Sequence, residues 1–208
     1  FLNNDHFYFK MIQCITLNIN CPIHILEILS KDKNKNIRSS VVNNINCPVD
    51  ILEKLSNDEE ETVRSSVSFN KNVSISTLEK LIEDEYYYVR CGVALNSKTT
   101  ISMLEFLSED KNTNVLSSVI NNPNCPIFLF EKFKTHKSIF VKIAIARSEK
   151  CPEHILEFLL ISEDKTIEIY IAQNNKTSFK ILKKLYKKDD NLKKIILKHP
   201  NWKLNDFQ

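Results

Sequence analysis

Three of the chain's four arginines, Arg38, Arg64 and Arg90, stand 26 residues apart. A guanidinium is a rigid planar fork that takes a carboxylate or a phosphate through two bonds at once, which the point charge of lysine does not do. Lys142 and Lys194 continue the spacing, while Leu116 and Glu168 interrupt it. Asp32, Asp58, Asp84 and Asp110 recur with the same period. Two arrangements fit. In one, each arginine pairs with an aspartate such as Asp32, Asp58 or Asp84 of its own or a neighbouring repeat, and the column is internal. In the other, Arg38, Arg64, Arg90 and Lys142 form a candidate binding column that grips an acidic peptide or a phosphate backbone. The recurrence of Asp beside Arg in successive repeats favours the first.

The other chemistry-bearing residues do not assemble into a site. Cys21, Cys47, Cys125 and Cys151 share one phase of the period. Adjacent members such as Cys21 and Cys47 are thus one helix layer apart, roughly 8–10 Å, whereas a disulfide needs Cα atoms about 4.4–6.8 Å apart. No CxxC-like pair offers a zinc or cluster site. Small, buried, free thiols are expected, in a reducing and hence cytoplasmic setting. His24 and His154 share a phase but lie five repeats apart. No HExxH or GxSxG motif is present, and a single glycine, Gly92, cannot build a phosphate-cradling loop. Glu59-Glu60-Glu61 falls in a polar break and reads as solvated charge. The expectation is no catalytic residue, no metal, no cofactor and no small-molecule substrate.

What must position these residues is a long repeat. The period is 26 residues and runs through seven units without insertion. Leu26, Leu52, Leu78, Leu104, Phe130, Leu156 and Leu182 form one column, and Leu29, Leu55, Leu81, Leu107, Phe133, Leu159 and Leu185 a second. A third holds Val41, Val67, Val93, Val119, Ile145, Ile171 and Leu197. Each unit reads as two helices. The first opens at Pro22, Pro48, Pro126 or Pro152, or at Ser74, Thr100 or Ser178, all residues that suit a helix start. A polar break follows, and then a second, brief helix such as Thr62 to Phe69, which ends at Asn44, Asn70, Asn96, Asn122 or Asn174. In a chain with one glycine, asparagine is the expected left-handed terminator. Ser40, Ser66, Gly92, Ser118 and Ala144 share a phase where helices would approach closely. Neither helix can bury its apolar stripe alone, so the units must stack.

The boundaries expected are a partial repeat over 1–20, six repeats over 21–176, a degenerate basic repeat over 177–202, and a further unit or tail over 203–208, all in one domain. Phe7 to Asn18 fits the end of a preceding unit, with Met11, Ile15 and Asn18 in the columns. Phe1 in place of Met reads as an excised or processed piece. No apolar run approaches the roughly 18–20 residues of a membrane span, and no signal-peptide pattern opens the sequence. From residue 176 onward ten lysines face three aspartates, a charge of +7 against −4 for the residues before it. Such a segment is ordinarily a solvated helix pair, or else a contact for an acidic partner.

The run Asn46-Cys47-Pro48-Val49-Asp50-Ile51-Leu52-Glu53-Lys54-Leu55, then Asp58 and Val63-Arg64-Ser65-Ser66-Val67, resembles the leucine-rich-repeat variant family, a relative of the HEAT-type helical repeats. The resemblance covers nearly the whole chain. It implies an all-α fold without β-sheet, a right-handed α-solenoid in which α-helices alternate with shorter, often 3₁₀, helices. One described member carries an iron–sulfur cluster in a separate cysteine-rich segment. Nothing in this sequence matches that segment, and the cofactor is not carried over. The family implies a non-enzymatic scaffold that binds a protein or peptide on its concave surface. A nucleic-acid-binding solenoid is the alternative, because HEAT-like solenoids include DNA glycosylases, and a structural arm of a larger protein is a third.

Overall fold

The structure, a computed structural model, describes residues 2–202, with side chains from Lys10 onward. Phe1 and the expected further unit or tail at 203–208 lie outside the described residues. Helices are the only regular structure among the described residues. The chain divides at a repeat boundary into two compact units, Phe1–Asn124 and Cys125–Gln208.

The first unit runs α1 (Leu2–Leu17), α2 (Ile23–Leu29), α3 (Lys35–Val42), α4 (Val49–Leu55), α5 (Glu61–Phe69), α6 (Ile75–Leu81), α7 (Tyr87–Leu95), α8 (Ile101–Leu107) and α9 (Thr113–Asn121). The second runs α10 (Ile127–Phe133), α11 (Ile139–Arg147), α12 (Glu153–Leu159), a 3₁₀ turn at Leu160–Ser162, α13 (Lys165–Gln173), α14 (Phe179–Lys188) and α15 (Asp190–Ile196). Each first helix except α12 packs on the second helix of its own repeat, and second helices pack side by side, α1 through α9 by odd numbers and likewise α11, α13 and α15. This is the stacked helical-repeat fold, in which a unit touches only its neighbours.

The apolar columns supply the core. Leu52, Leu78, Leu104 and Phe130 have no exposed surface, and neither do Val67, Val93, Val119 and Ile145. Burying one such side chain is worth about 1.5–3 kcal/mol. Pro22, Pro48, Pro126 and Pro152 sit at the N-cap itself, in extended backbone, one residue before the first helical position. Where proline is missing, the hydroxyl of Ser74, Thr100 or Ser178 accepts the backbone N–H of Thr77, Met103 or Ile181. Gly92 marks where α7 crosses close to α5, since a Cβ there would lie 1.8 Å from Ser68 Oγ and 2.8 Å from Ser68 Cβ.

Four expectations are corrected. The second helices are α-helical and, from α3 to α13, at eight or nine residues longer than the seven-residue first helices of their repeats, while the only 3₁₀ segment among the described residues follows α12. Met11 and Ile15 are exposed, and Ile12 and Thr16 are buried in their place, because no first helix lies beside α1 among the described residues to cover them. Leu197 is likewise 47% exposed while Ile196 is buried. There α14 runs on to Lys188, and Asp189 closes it and caps α15 at once, so the second helix starts a residue early.

The asparagines are the fourth. Asn70, Asn96, Asn122 and Asn174 have extended backbone, with φ between −74 and −63°, and Glu163 is the one non-glycine residue of positive φ among the described residues. What fixes asparagine at this phase is its amide. Asn96 Nδ2 donates to the Ser68 and Asn70 carbonyls of the preceding repeat at 2.9 and 3.1 Å, and its Oδ1 accepts the Lys98 N–H at 3.0 Å. Asn122 and Asn174 repeat the pattern, and Asn44 reaches the Thr16 and Asn18 carbonyls. In the last repeat His199 substitutes: Nδ1 accepts from Asn201 N–H and Nε2 meets the Asn174 carbonyl at 2.9 Å. A buried backbone carbonyl left without a donor costs about 1–3 kcal/mol, so each of these amides holds its repeat to the one before; Ser148 stands at this phase in the repeat of α11.

Candidate functional site

The arginine column lies at the start of α3, α5 and α7, each arginine facing the polar turn of the following repeat. Arg38 grips Asp58 bidentately, Nε and Nη2 each 2.7 Å from a carboxylate oxygen. Arg64 holds Asp84 at 2.7 and 3.2 Å, and Arg90 holds Asp110 at 2.6 and 3.1 Å. The remaining Nη1 of each donates to two carbonyls of its own repeat's turn, Asp32 and Lys33, Asp58 and Glu59, or Asp84 and Glu85. The aspartate's Oδ1 in turn accepts the N–H two residues on, at Glu60, Tyr86 or Asn112, and so shapes the entry to the next second helix. Each guanidinium thus ties two turns together.

These pairs are out of the solvent: the arginine side chains are 9, 12 and 18% exposed and their aspartates 6, 8 and 9%. Burial alone would raise the Asp58 carboxyl, but the Arg38 fork and the Glu60 N–H hold it below its usual value. The hydrogen bonds that Arg38, Arg64 and Arg90 donate to Asp58, Asp84 and Asp110 raise the arginines further still. The cleft of about 600 Å³ beside Arg90 is lined by Glu83, Asp84, Glu85, Glu109 and Asp110 as well as Lys111. Ile82, Phe106 and Leu107 form the rest of its lining, and among its charged groups carboxylates predominate.

Lys142 is half-buried in α11 and has no ion pair among the described residues. Glu168, which interrupts the column in sequence, is buried and meets Lys188 Nζ at 2.6 Å. Three further lysines of α14 and α15 are also in ion pairs. Lys180 and Lys184 reach Glu157 at 2.9 and 3.5 Å, and Lys193 reaches Asp190 at 2.5 Å. The apolar face of α14, Ile181, Leu182 and Leu185, is buried. Trp202 packs on Tyr186 and Phe179, ring centroids 4.8 and 5.3 Å away. No described helix is long and apolar enough to cross a membrane.

The cysteines are free, and those at the helix-start phase are buried. Burial pushes the Cys47 and Cys151 thiols up to about 12 and that of Cys125 to about 11, so none is a thiolate nucleophile at neutral pH. Among the described residues no three histidine, cysteine or acidic side chains converge as metal ligands.

One surface was not singled out from the sequence. Along α3, α5, α7 and α9 a pair of exposed uncharged positions lies seven residues apart, two helical turns, and hence on one face, the second of each pair at or next to the helix end. They are Asn36 and Asn43, Thr62 and Phe69, Tyr88 and Leu95, Asn114 and Asn121. Between them lie Ser39, Ser65, Cys91 and Ser117, all small. The eight paired positions and the four small residues between them carry no charge, while Lys71 and Glu61 line the clefts at the two edges. A cleft of about 270 Å³ opens at one edge, among Asn43, Ile45, Ser66, Phe69, Asn70 and Lys71. Another, of about 400 Å³, opens at the other edge, lined by Glu61, Thr62, Ser65, Tyr86, Tyr87 and Tyr88. The signals in sequence were uncharged residues at two fixed phases, and three consecutive tyrosines out of six in the chain.

No protein-family model matches the chain, and no curated protein matches it in sequence. Its structure is similar to that of a leucine-rich repeat variant described as having a novel repetitive structural motif. The TM-score is 0.61 at 19% sequence identity, over 89% of this chain and 84% of the other. At that identity the likeness establishes the fold: an all-helical repeat of the leucine-rich-repeat-variant type.

Proposed function

We propose that the chain is a non-catalytic binding module that takes a segment of a partner protein on the second-helix face of its first unit, inside a reducing compartment. The observation that carries this is the uncharged strip from Asn36 to Asn121, in which amides and hydroxyls alternate with exposed Phe69, Tyr88 and Leu95. Amides can pair with the backbone of an extended segment, and aromatic side chains are the commonest anchors of an interface. Nucleic acid is the second reading. Against it stands the engagement of Arg38, Arg64 and Arg90 with aspartates, since phosphate binding draws on available cations. The first unit's sequence also holds 16 acidic residues against 12 lysines and arginines. An acidic partner loses its support for the same reason.

The test is selection of binders from a random peptide library on the intact chain, with mapping by Phe69→Ser and Leu95→Ser. The selected peptides should compete for one site and lose about tenfold or more in affinity with either substitution. Peptides indifferent to both would overturn the proposal, as would strongly salt-dependent binding of a nucleic-acid duplex in their stead.

A further inference from the structure

We infer that the tyrosine cleft at the edge of this face anchors an arginine side chain of the partner segment, lysine being the weaker fit; the inference rests on the second-helix face being the binding surface. Tyr88 is 61% exposed, a large aromatic ring at the surface, and its ring centroid lies 4.9 Å from that of Tyr87 with the planes tilted by 44°. Two tilted faces beside the Glu61 carboxylate enclose a space suited to a planar cation on an apolar stem. The neighbouring ring already shows the chemistry: the Arg64 guanidinium lies over Tyr86, 5.5 Å from its centroid.

Charge selects the occupant. The turns on either side are Asp58-Glu59-Glu60-Glu61 and Glu83-Asp84-Glu85. Asp58 and Asp84 are taken by Arg38 and Arg64, but the side chains of Glu59 and Glu85 are 86 and 80% exposed and lie 3.9 and 4.0 Å from Arg38 and Arg64. The positive end of α7 opposes a cation here with about half a charge, and the surrounding carboxylates outweigh it. A neutral aromatic guest would gain nothing from this field. An arginine gains from both rings and from the acids, and its guanidinium stacks on a ring as ammonium does not.

The experiment uses the intact chain, a blocked peptide of four Arg-Gly repeats, and the same peptide with citrulline, which keeps the shape and loses the charge. Binding is read by fluorescence anisotropy. Tyr88→Ala and Tyr87→Ala should each weaken the arginine peptide by several-fold to about tenfold, and Glu61→Gln should weaken it too. Tyr88→Phe, which keeps the ring face, should stay within about twofold, as should Glu79→Gln, an exposed acid outside the cleft. The citrulline peptide should not bind. Helicity by circular dichroism confirms that each variant is folded. No measurable binding of the arginine peptide, or equal losses from Tyr88→Ala and Glu79→Gln, would overturn the inference. Library-selected peptides that still depend on Phe69 and Leu95 would then leave the binding face in place and remove only its arginine anchor.

Discussion

Glu168 and Lys188 are twenty residues apart and meet at 2.6 Å, the same separation at which Arg38 meets Asp58, Arg64 meets Asp84 and Arg90 meets Asp110. The rung is conserved in position with its charges exchanged. The acid now sits on the second helix, and the base on the following repeat. Buried carboxylate and buried guanidinium both need a partner there, and either polarity satisfies the requirement. Lys188→Ala should therefore lower the stability of the second unit in a denaturant titration, whereas Lys187→Ala should leave the midpoint in place. An exchanged pair in the first unit, Arg64→Glu with Asp84→Lys, should retain more stability than Arg64→Glu alone.

That relationship also shows what a sequence can and cannot display. The leucine and valine columns were readable because burial acts on each position separately, whatever its partner. Glu168 looked like an interruption because its partner stands in a different column. The same limit applies to the asparagines: their phase was plain, but a residue's type does not say whether its backbone or its amide is being used. The second-helix face was harder still, since exposed positions are under no packing constraint and Asn36, Thr62, Tyr88 and Asn114 share little beyond neutrality.

The asparagine column separates the two readings by one substitution. At a left-handed terminator, Asn96→Gly would be neutral or stabilising. With the amide bonded to the Ser68 and Asn70 carbonyls, both Asn96→Gly and Asn96→Ala should cost about 2–4 kcal/mol in equilibrium unfolding. A glycine variant as stable as the parent would show that the inter-repeat bonds contribute nothing.

Gly92 should tolerate no side chain. Gly92→Ala places a methyl 1.8 Å from Ser68 Oγ and 2.9 Å from the Phe69 ring, an overpacking that typically costs about 1–3 kcal/mol. Ser68→Ala should relieve only part of it, because the Ser68 Cβ stays 2.8 Å away. Thermal unfolding of the single and double variants decides this, and full recovery by Ser68→Ala would place the strain elsewhere.

Asp58 gives the ladder a pH signature. Its carboxyl is held below the usual value in the fold, so at low pH the unfolded chain binds the proton first and stability rises with pH. The contribution is complete above the unfolded value near about 4 and is lost as pH falls through the lower folded value. Asp58→Asn should thus flatten the acid limb of the stability profile below about pH 4 and lower the plateau above it. Parallel profiles would mean that Asp58 gains nothing from Arg38.

Arg38, Arg64 and Arg90 are internal to the stack, and the Arg64–Asp84 rung tests that most directly. Arg64→Ala, Asp84→Asn and the double variant form a cycle in which asparagine can still accept the Tyr86 N–H. Removing one side of a largely buried pair leaves the other uncompensated, so Arg64→Ala should cost about 1–3 kcal/mol. The cycle should return a coupling of at least about 1 kcal/mol, and the Phe69-dependent peptides should still bind. A denaturation midpoint unchanged by Arg64→Ala, together with loss of partner binding, would contradict the ladder and return Arg38, Arg64 and Arg90 to the role of a binding column.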